Sequence, residues 1–345
     1  MPSQPAALMA RHCSTKGVFS KTSLQTERRK GPTGITASLH QSSNGVTTLA
    51  GALYSQAAML NRRQFLGSAA GLAAAAALPA HEGIHSIFRG VQIGAQSYSF
   101  RDRDILAALK AYKEIGLGEC EMWSGHMERP AGQRLSREQL RDWRLKVDLG
   151  EFEKVGHEFH EAGVELYAYN YSFRADFTDA EIDRGFEMAK ALGAKVITAS
   201  GNVSVAQRVD KFAKKHDMRV GMHNHSHIRD DEFATPDDFA KAMKGTTHIA
   251  INLDIGHFFG AGFDPVDFLG KHHKDIVTIH VKDKSKDDVN MPFGQGATPI
   301  VECLRLMRDK KYKIPANIEY EYKGGDTVAE VKKCFEYCKN AVLES

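Results

Sequence analysis

The chain has 345 residues, 42% hydrophobic and 26% charged, with 46 Lys+Arg, 43 Asp+Glu and five cysteines. This is a globular composition with room for one large domain or two ordinary ones, and no apolar run reaches the roughly 18 residues that a membrane-spanning helix needs. The net positive charge belongs to the N-terminus: residues 1–80 hold eight Lys/Arg and one acid, Glu27, which leaves 38 basic and 42 acidic residues beyond them, and a net-negative domain gives no global electrostatic support for nucleic-acid binding.

Residues 1–58 are rich in Ser, Thr, Gly and Gln and show no sustained helix or strand period, as a disordered extension does. MLNRRQFLGSAAGLAAAAALPA (59–80) follows. Arg62 and Arg63 form a charged n-region, Phe65 to Leu78 a mild h-region, and Ala75, Ala77 and Ala80 offer cleavage points. The RRxFL core resembles a twin-arginine signal, which marks proteins exported already folded. The expectations are that Met59 is the native start, that residues 1–58 are either untranslated or an organellar transit peptide, and that the mature protein is periplasmic or secreted, with the twin-arginine export machinery as a partner.

From residue 90 onward strand and helix signals alternate. VQIGAQSYSF (91–100) reads as a strand and DILAALKAYKEIG (104–116) as an amphipathic helix closed by Gly116. LGECEMW (117–123) is the second strand. Ser136 and Gln139 form a capping box that opens a long helical stretch to about Ala162, broken near Gly150. VELYAYNY (164–171) is strand three, and Thr178 with Glu181 opens a helix ending at Gly193. KVITASG (195–201) is strand four, followed by a helix over 203–216. MRVGMHNH (218–225) is strand five, and Thr235-Pro236 is an N-cap with Pro at the first helical position. HIAINLDIGH (248–257) is strand six, with Asp264-Pro265 repeating the cap. DIVTIHVKD (275–283) is strand seven, with a helix near 298–311. PANIEYEY (315–322) is strand eight, and a last helix covers 326–343.

Eight strands alternating with eight helices over roughly 255 residues predict a single α/β domain, a (β/α)8 TIM barrel over about residues 88–343. The apolar strands fit a parallel sheet covered on both faces. A doubly wound open sheet usually announces itself with a Gly-rich phosphate turn after its first strand, and GAQSYSF supplies none. No C-x-x-C occurs, so a thiolate zinc site is not expected, and Cys334 and Cys338, one helical turn apart, read as a packed helix face.

In such a barrel the active site forms where strands end and the following loops begin. Strand two offers Glu121, Trp123 and His126 there; strand five offers His223 and His225; strand six offers Asp254, with His257 three residues on; strand seven offers His280 and Lys282; strand eight offers Glu319 and Glu321. Residues i and i+2 share a strand face. One histidine in an apolar strand is ordinary, but four consecutive strands ending in His, Asp or Glu are not, because buried ionisable groups are costly unless paired or metal-bound. The favoured ligand set is His223, Asp254, His280 and Glu319, in which two carboxylates and two neutral imidazoles balance a divalent ion. Mixed N and O donors suit Mn2+ foremost, then Zn2+, Co2+ or Fe2+, over Ca2+. His225 and Glu321, one step along their strands, are alternatives.

These pieces together resemble the xylose isomerase-like barrels, in particular the sugar phosphate isomerase/epimerase group. The matching elements are ECEMW at strand two, HNH at strand five, NLDIGH at strand six, IHVKD at strand seven, PFGQG after it and IEYE at strand eight. The resemblance covers about residues 90–343. It implies metal ligands at Asp254, His280 and Glu319 with a fourth from strand five, a substrate contact from His257, and a polyol or sugar that chelates the ion through adjacent oxygens. There is one departure. The family's epimerases usually carry a glutamate where His223 stands, paired with the strand-eight glutamate as acid and base on opposite substrate faces. Here one carboxylate base is gone, and His225, His257, Lys282 and Glu121 are the groups left to move protons on that face.

The leading expectation is a metal-dependent isomerase or epimerase that works through a metal-stabilised enediolate. An exported enzyme argues for a non-phosphorylated sugar or sugar derivative. A lyase, dehydrating or β-eliminating a keto-sugar or keto-glycoside, begins with the same enolate. A metal-dependent hydrolase of the endonuclease IV type is opposed by the acidic domain and the export signal, and a non-catalytic sugar-binding protein is the remaining reading. Trp123, His126, His225 and Glu321 are candidates to line the substrate. PFGQG is either a substrate-facing loop or an ordinary turn, and a homo-oligomer is compatible with the fold.

Overall fold

The computed structural model describes residues 83–128 and 135–344. The expected signal and the 1–58 extension lie outside the described residues. Eight parallel strands close on themselves: β1 Val91–Gln96, β2 Glu119–Trp123, β3 Glu165–Asn170, β4 Val196–Ala199, β5 Val220–His223, β6 Ile249–Asp254, β7 Ile276–Val281 and β8 Ala316–Ile318. Closure is explicit in the register. β8 pairs with β7 on one side and β1 on the other, with Asn317 opposite both His280 and Gly94, and β1 pairs with β2. The chain is a (β/α)8 barrel.

The main helices outside it are α1 Ile105–Ile115, α2 Arg137–Lys146, α3 Leu149–Glu161, α4 Asp179–Ala191, α5 Ala206–His216, α6 Pro236–Met243, α7 Ile255–Gly260, α8 Pro265–His272, α9 Ile300–Lys310 and α10 Thr327–Leu343. Local chemistry starts them. Ser136 and Gln139 form the reciprocal box on α2, Thr178 accepts from Glu181 N on α4, and Thr235 and Asp238 form a box on α6 with Pro236 in the first turn. The stretch expected as one helix with a break near Gly150 is two helices. The break falls at Val147 and Asp148, because the Asp148 side chain caps Gly150 N and places Gly150 inside the first turn of α3.

Strand ends also differ from expectation, for a definable reason. Residues 97–100 leave β1 as a 3-10 turn. Ser99 then stands in for a strand neighbour: its hydroxyl donates to Ile318 O (3.1 Å) and accepts from Tyr320 N (2.9 Å). β8 therefore ends at Ile318, and Glu319 and Glu321 follow it on the connecting segment.

Between strands and helices lies a ring-rich core that includes Phe100, Tyr112, Phe152, Phe159, Phe173 and Phe186, all essentially inaccessible. Each fully buried Phe contributes about 1.5–3 kcal/mol. Among the charged residues, Arg137, Arg141 and Arg144 of α2 converge on Glu181 of α4. Arg144 also grips Glu128 through a bidentate fork at 2.8 and 2.7 Å.

The barrel interior is unusual in being polar. A small apolar layer of Ala168, Val196, Ala250 and Val277 packs against Tyr167. Glu119, Thr278, Asn317, Gln96, Glu121, Asn170, Thr198, Asn252 and His280 are also buried. Thr198 of β4 and His280 of β7 both reach Glu121 of β2, at 2.7 and 2.8 Å. Neither strand is a neighbour of β2, so these bonds cross the interior. Gly94 makes room for this arrangement: a Cβ there would lie 1.7 Å from Glu119 Oε2.

Candidate metal centre and active site

Four consecutive strands deliver the site. His223 and Asp254 are the last residues of β5 and β6, His280 is the penultimate residue of β7, and Glu319 directly follows β8. All four are buried, and one ligand atom from each lies within 4.8 Å of the other three.

Asp254 is held on several sides. Its backbone N–H donates to Asn224 Oδ1 (3.0 Å), and Asn224 Nδ2 donates to its carbonyl (3.1 Å). Its Oδ1 accepts from His257 N (2.7 Å) as the N-cap of α7, so the D-x-x-H spacing is a helix cap that also carries the His257 ring to the site. Oδ2 faces His223 Nε2 at 3.5 Å.

His280 lies between two carboxylates, with Nδ1 3.1 Å from Glu319 Oε2 and Nε2 2.8 Å from Glu121 Oε2. Glu121 is itself fixed by Gln96 Nε2 (2.9 Å) and Thr198 Oγ1 (2.7 Å). It is fully buried on the far side of the imidazole. Glu121 thus backs the His280 imidazole, an arrangement also found behind metal-bound imidazoles.

The donor set fits a divalent ion. Buried His223 Nε2 has no hydrogen-bond partner, and neither has Asp254 Oδ2. Donors held 2.0–2.2 Å from a tetrahedral centre lie about 3.4 Å from one another. The observed separations are 3.1 Å for His280 to Glu319, 3.5 Å for His223 to Asp254 and 4.0 Å for His223 to Glu319.

Lys282 brings a positive charge into the same space. Its Nζ lies 3.2 Å from Asp254 Oδ2, 2.9 Å from Glu319 Oε2 and 2.7 Å from Glu321 Oε2. Burial would push the Asp254 and Glu319 carboxyls up. The Lys282 ammonium outweighs it and holds both below the usual carboxylate range. Burial opposes the charge on Lys282, but Asp254, Glu319 and Glu321 raise its pKa well above the ordinary lysine value. Burial likewise opposes the charge on His280, and Glu121 and Glu319 reverse that.

The remaining candidates surround this centre. His225 stands edge-on to His223 and near His257, with ring centroids 5.0 and 5.5 Å away. Burial, with help from His223, brings its pKa down to about 3, so the ring is neutral. Glu321 is half-buried and bound to Lys282, outside the group of four. Trp123 and His126 are half-buried at the end of β2, edge-on to each other at 5.4 Å, and His126 Nδ1 is 2.9 Å from Ser97 Oγ. A cavity of about 480 Å³ lined by His225, His257, Ser226, Ser200, Lys284 and Arg174 adjoins the centre through its two histidines. Gly294 and Gly296 of PFGQG donate their backbone N–H groups to Asp283 Oδ2 at 2.8 and 3.0 Å, which fixes the loop.

Sequence reasoning passed over Gln96, Thr198, Asn224, Ser226, Lys284 and Asp288, all of which hold this site together. Polar residues inside otherwise apolar strands, as in VQIGAQ and VITA, were the signal available for the first two.

The profile of the xylose isomerase-like TIM barrel family matches residues 109–340. The chain belongs to that family. A TAT (twin-arginine translocation) pathway signal sequence matches residues 59–79. No curated protein matches the chain in sequence. Several solved structures share the xylose isomerase-like barrel seen here. The probable 3-DHS dehydratase AsbF of Bacillus anthracis is 16% identical over 71% of this chain and 98% of its own, with a TM-score of 0.56. The 3-keto-D-glucoside 4-epimerase YcjR of E. coli is 15% identical over 71% and 97%, also at 0.56. The IolI protein, solved with a zinc atom, is 14% identical over 73% and 98%, at 0.55. At these identities the likeness is one of fold. Among the described residues, no helix of this xylose isomerase-like barrel is long and apolar enough to cross a membrane.

Proposed function

We propose that this protein is a metal-dependent isomerase or epimerase of a non-phosphorylated sugar or sugar derivative, working in the periplasm or outside the cell. The observation that carries the reading is the convergence of His223, Asp254, His280 and Glu319 with two buried donor atoms that lack hydrogen bonds. The zinc held by the IolI fold relative and the sugar chemistry named for YcjR support it. The four side chains would hold the ion, with Mn2+ or Zn2+ suited to the N and O donors. Such an ion polarises a substrate carbonyl and its neighbouring hydroxyl.

The protein's own groups supply the proton chemistry. Glu319, kept ionised by Lys282 against the pull of burial, is the base that takes a proton from the carbon beside the carbonyl. The Lys282 ammonium donates to the oxygen that gains charge as the proton leaves. His257 accepts from Lys282 at 2.9 Å and so steadies that ammonium. Where a second carboxylate would serve the opposite face stands His223, so proton transfer is one-sided, which favours aldose–ketose isomerisation over free two-face epimerisation. A lyase reading shares every step up to proton loss. It is favoured by Lys282, a buried cation able to assist a departing oxygen substituent, and by the dehydratase named among the fold relatives. The test is solvent-deuterium uptake next to the carbonyl of candidate ketoses and 3-keto-sugars, with product stereochemistry read by NMR. Uptake with one-sided products supports the reading; metal-loaded protein that exchanges no proton in any such sugar refutes it.

A further inference from the structure

His257 stands between two lysines. Lys282 Nζ is 2.9 Å from its Nε2, and Lys284 Nζ is 3.3 Å from its Nδ1. A neutral imidazole has one N–H and one lone pair, so it accepts from only one side. Lys282 faces three carboxylate oxygens within 3.2 Å and is therefore an ammonium with only N–H groups to offer. That favours the lone pair on the nitrogen facing it and the ring proton on Nδ1.

That proton has an acceptor. Ser226 Oγ lies 3.3 Å from Nδ1, and Ser226 passes its own hydroxyl proton to Asp288 Oδ2 at 2.7 Å. Asp288 accepts only, and its other oxygen is ion-paired with Lys284. Lys284 also lies 3.3 Å from Ser226 Oγ. Asp288 and the serine hydroxyl take two of its three N–H groups, and its 3.3 Å approach to Nδ1 is longer than the 2.9 Å approach of Lys282 to Nε2, so Nε2 is the nitrogen that accepts. Ser226 then uses one donor and two acceptor positions, which is its full capacity. The packing is close enough to forbid a side chain at residue 260: a Cβ on Gly260 would lie 2.1 Å from Asp288 Oδ1 and 3.2 Å from Ser226 Cβ.

We propose that Ser226, backed by Asp288 and Lys284, is a positioning unit that fixes His257 as the Nδ1–H tautomer and presents Nε2 to Lys282 as its acceptor. The tautomer of a histidine is set by the bond its other nitrogen makes. The consequence for the site rests on the function proposed above: His257 Nε2 accepts from Lys282 and so holds that ammonium toward the substrate oxygen.

The experiment is a two-bond 1H–15N correlation on 15N-histidine-labelled protein loaded with Zn2+, with the His257 signals identified by their loss in His257→Gln. Wild type is expected to show a pyrrole-type Nδ1 and a pyridine-type Nε2. In Asp288→Asn, Lys284 keeps the amide oxygen, the amide N–H donates to Ser226, and the serine proton turns toward Nδ1, so the population moves away from Nδ1–H. Ser226→Ala removes the acceptor and has the same direction. A wild-type spectrum with the proton on Nε2 overturns the proposal, and so does an unchanged pattern in folded Asp288→Asn. The spectrum needs no turnover. A wild-type protein inert toward every sugar defeats the proposed function while this assignment stands, and the converse holds as well.

Discussion

Among the described residues, two buried ionic clusters are built on opposite plans. Between α2 and α4, each carboxylate oxygen of Glu128 and Glu181 receives an arginine N–H at 2.6–3.1 Å. At the ends of β5 to β8, His223 Nε2 and Asp254 Oδ2 lack hydrogen bonds while sitting with His280 and Glu319 around one point. Burying a polar atom without a hydrogen bond costs about 1–3 kcal/mol. The first cluster avoids that cost through planar guanidinium forks that match carboxylates. In the second, Asp254 Oδ2 has only the Lys282 ion pair at 3.2 Å, and His223 Nε2 bears the cost where four donors converge. The comparison teaches that charge and burial alone do not separate a structural network from a site; the accounting of hydrogen bonds does.

The largest expected effect breaks the second cluster. Glu319→Gln removes the proposed base and should lower deuterium exchange into substrate by about 10²–10⁴-fold, the usual worth of a positioned general base. Urea unfolding should move little. Next, Arg144→Met strips the fork from Glu128 and one partner from Glu181. Leaving a buried charge unpaired costs about 3–5 kcal/mol, read as a lowered urea midpoint, while exchange per folded molecule stays at the wild-type value. If Arg144→Met instead lost activity and kept stability, the two clusters would have been assigned the wrong way round.

The sequence showed much of this second cluster because strand ends can be read along the chain. Four apolar runs each closing on His, Asp or Glu place those residues at one end of a parallel barrel, and caps such as Ser136–Gln139 and Thr235–Pro236 mark where the helices begin. What stayed hidden depends on contacts across the barrel. Glu121 looks the same in sequence whether it meets a substrate or backs His280; only its bonds to Gln96 and Thr198, from strands far apart in the chain, assign it. Ser226 and Asp288 are 62 residues apart, on loops with no periodicity to read. The early end of β8 was hidden for the same reason, because the Ser99 hydroxyl that replaces its neighbour lies 219 residues away from Ile318.

A sharper probe of the boundary between the clusters is Glu121→Gln, which leaves all four donors in place but weakens the partner behind His280. Loss of such an outer carboxylate typically weakens metal affinity about 10–100-fold, measurable by equilibrium dialysis. The smallest effect is a pH signature of the first cluster. Burial would raise the Glu181 carboxyl, but hydrogen bonds from Arg137, Arg144 and Arg141 lower it. A folded pKa below the unfolded value of about 4.3 means stabilisation that is complete above that value and lost as pH falls through the folded one. Burial raises Glu128 despite Arg144, so its contribution has the opposite sign. The stability difference between wild type and Glu181→Gln should therefore be constant from neutral pH down to about 5 and shrink below about 4.

The most direct measurement is metal stoichiometry. Wild type, Asp254→Asn and Glu321→Gln are each dialysed to equilibrium with Zn2+, and metal and protein are quantified together. The account predicts one ion per chain in wild type and in Glu321→Gln, and its loss in Asp254→Asn. A wild-type chain without stoichiometric metal, or an Asp254→Asn chain that binds as much as wild type, would contradict it.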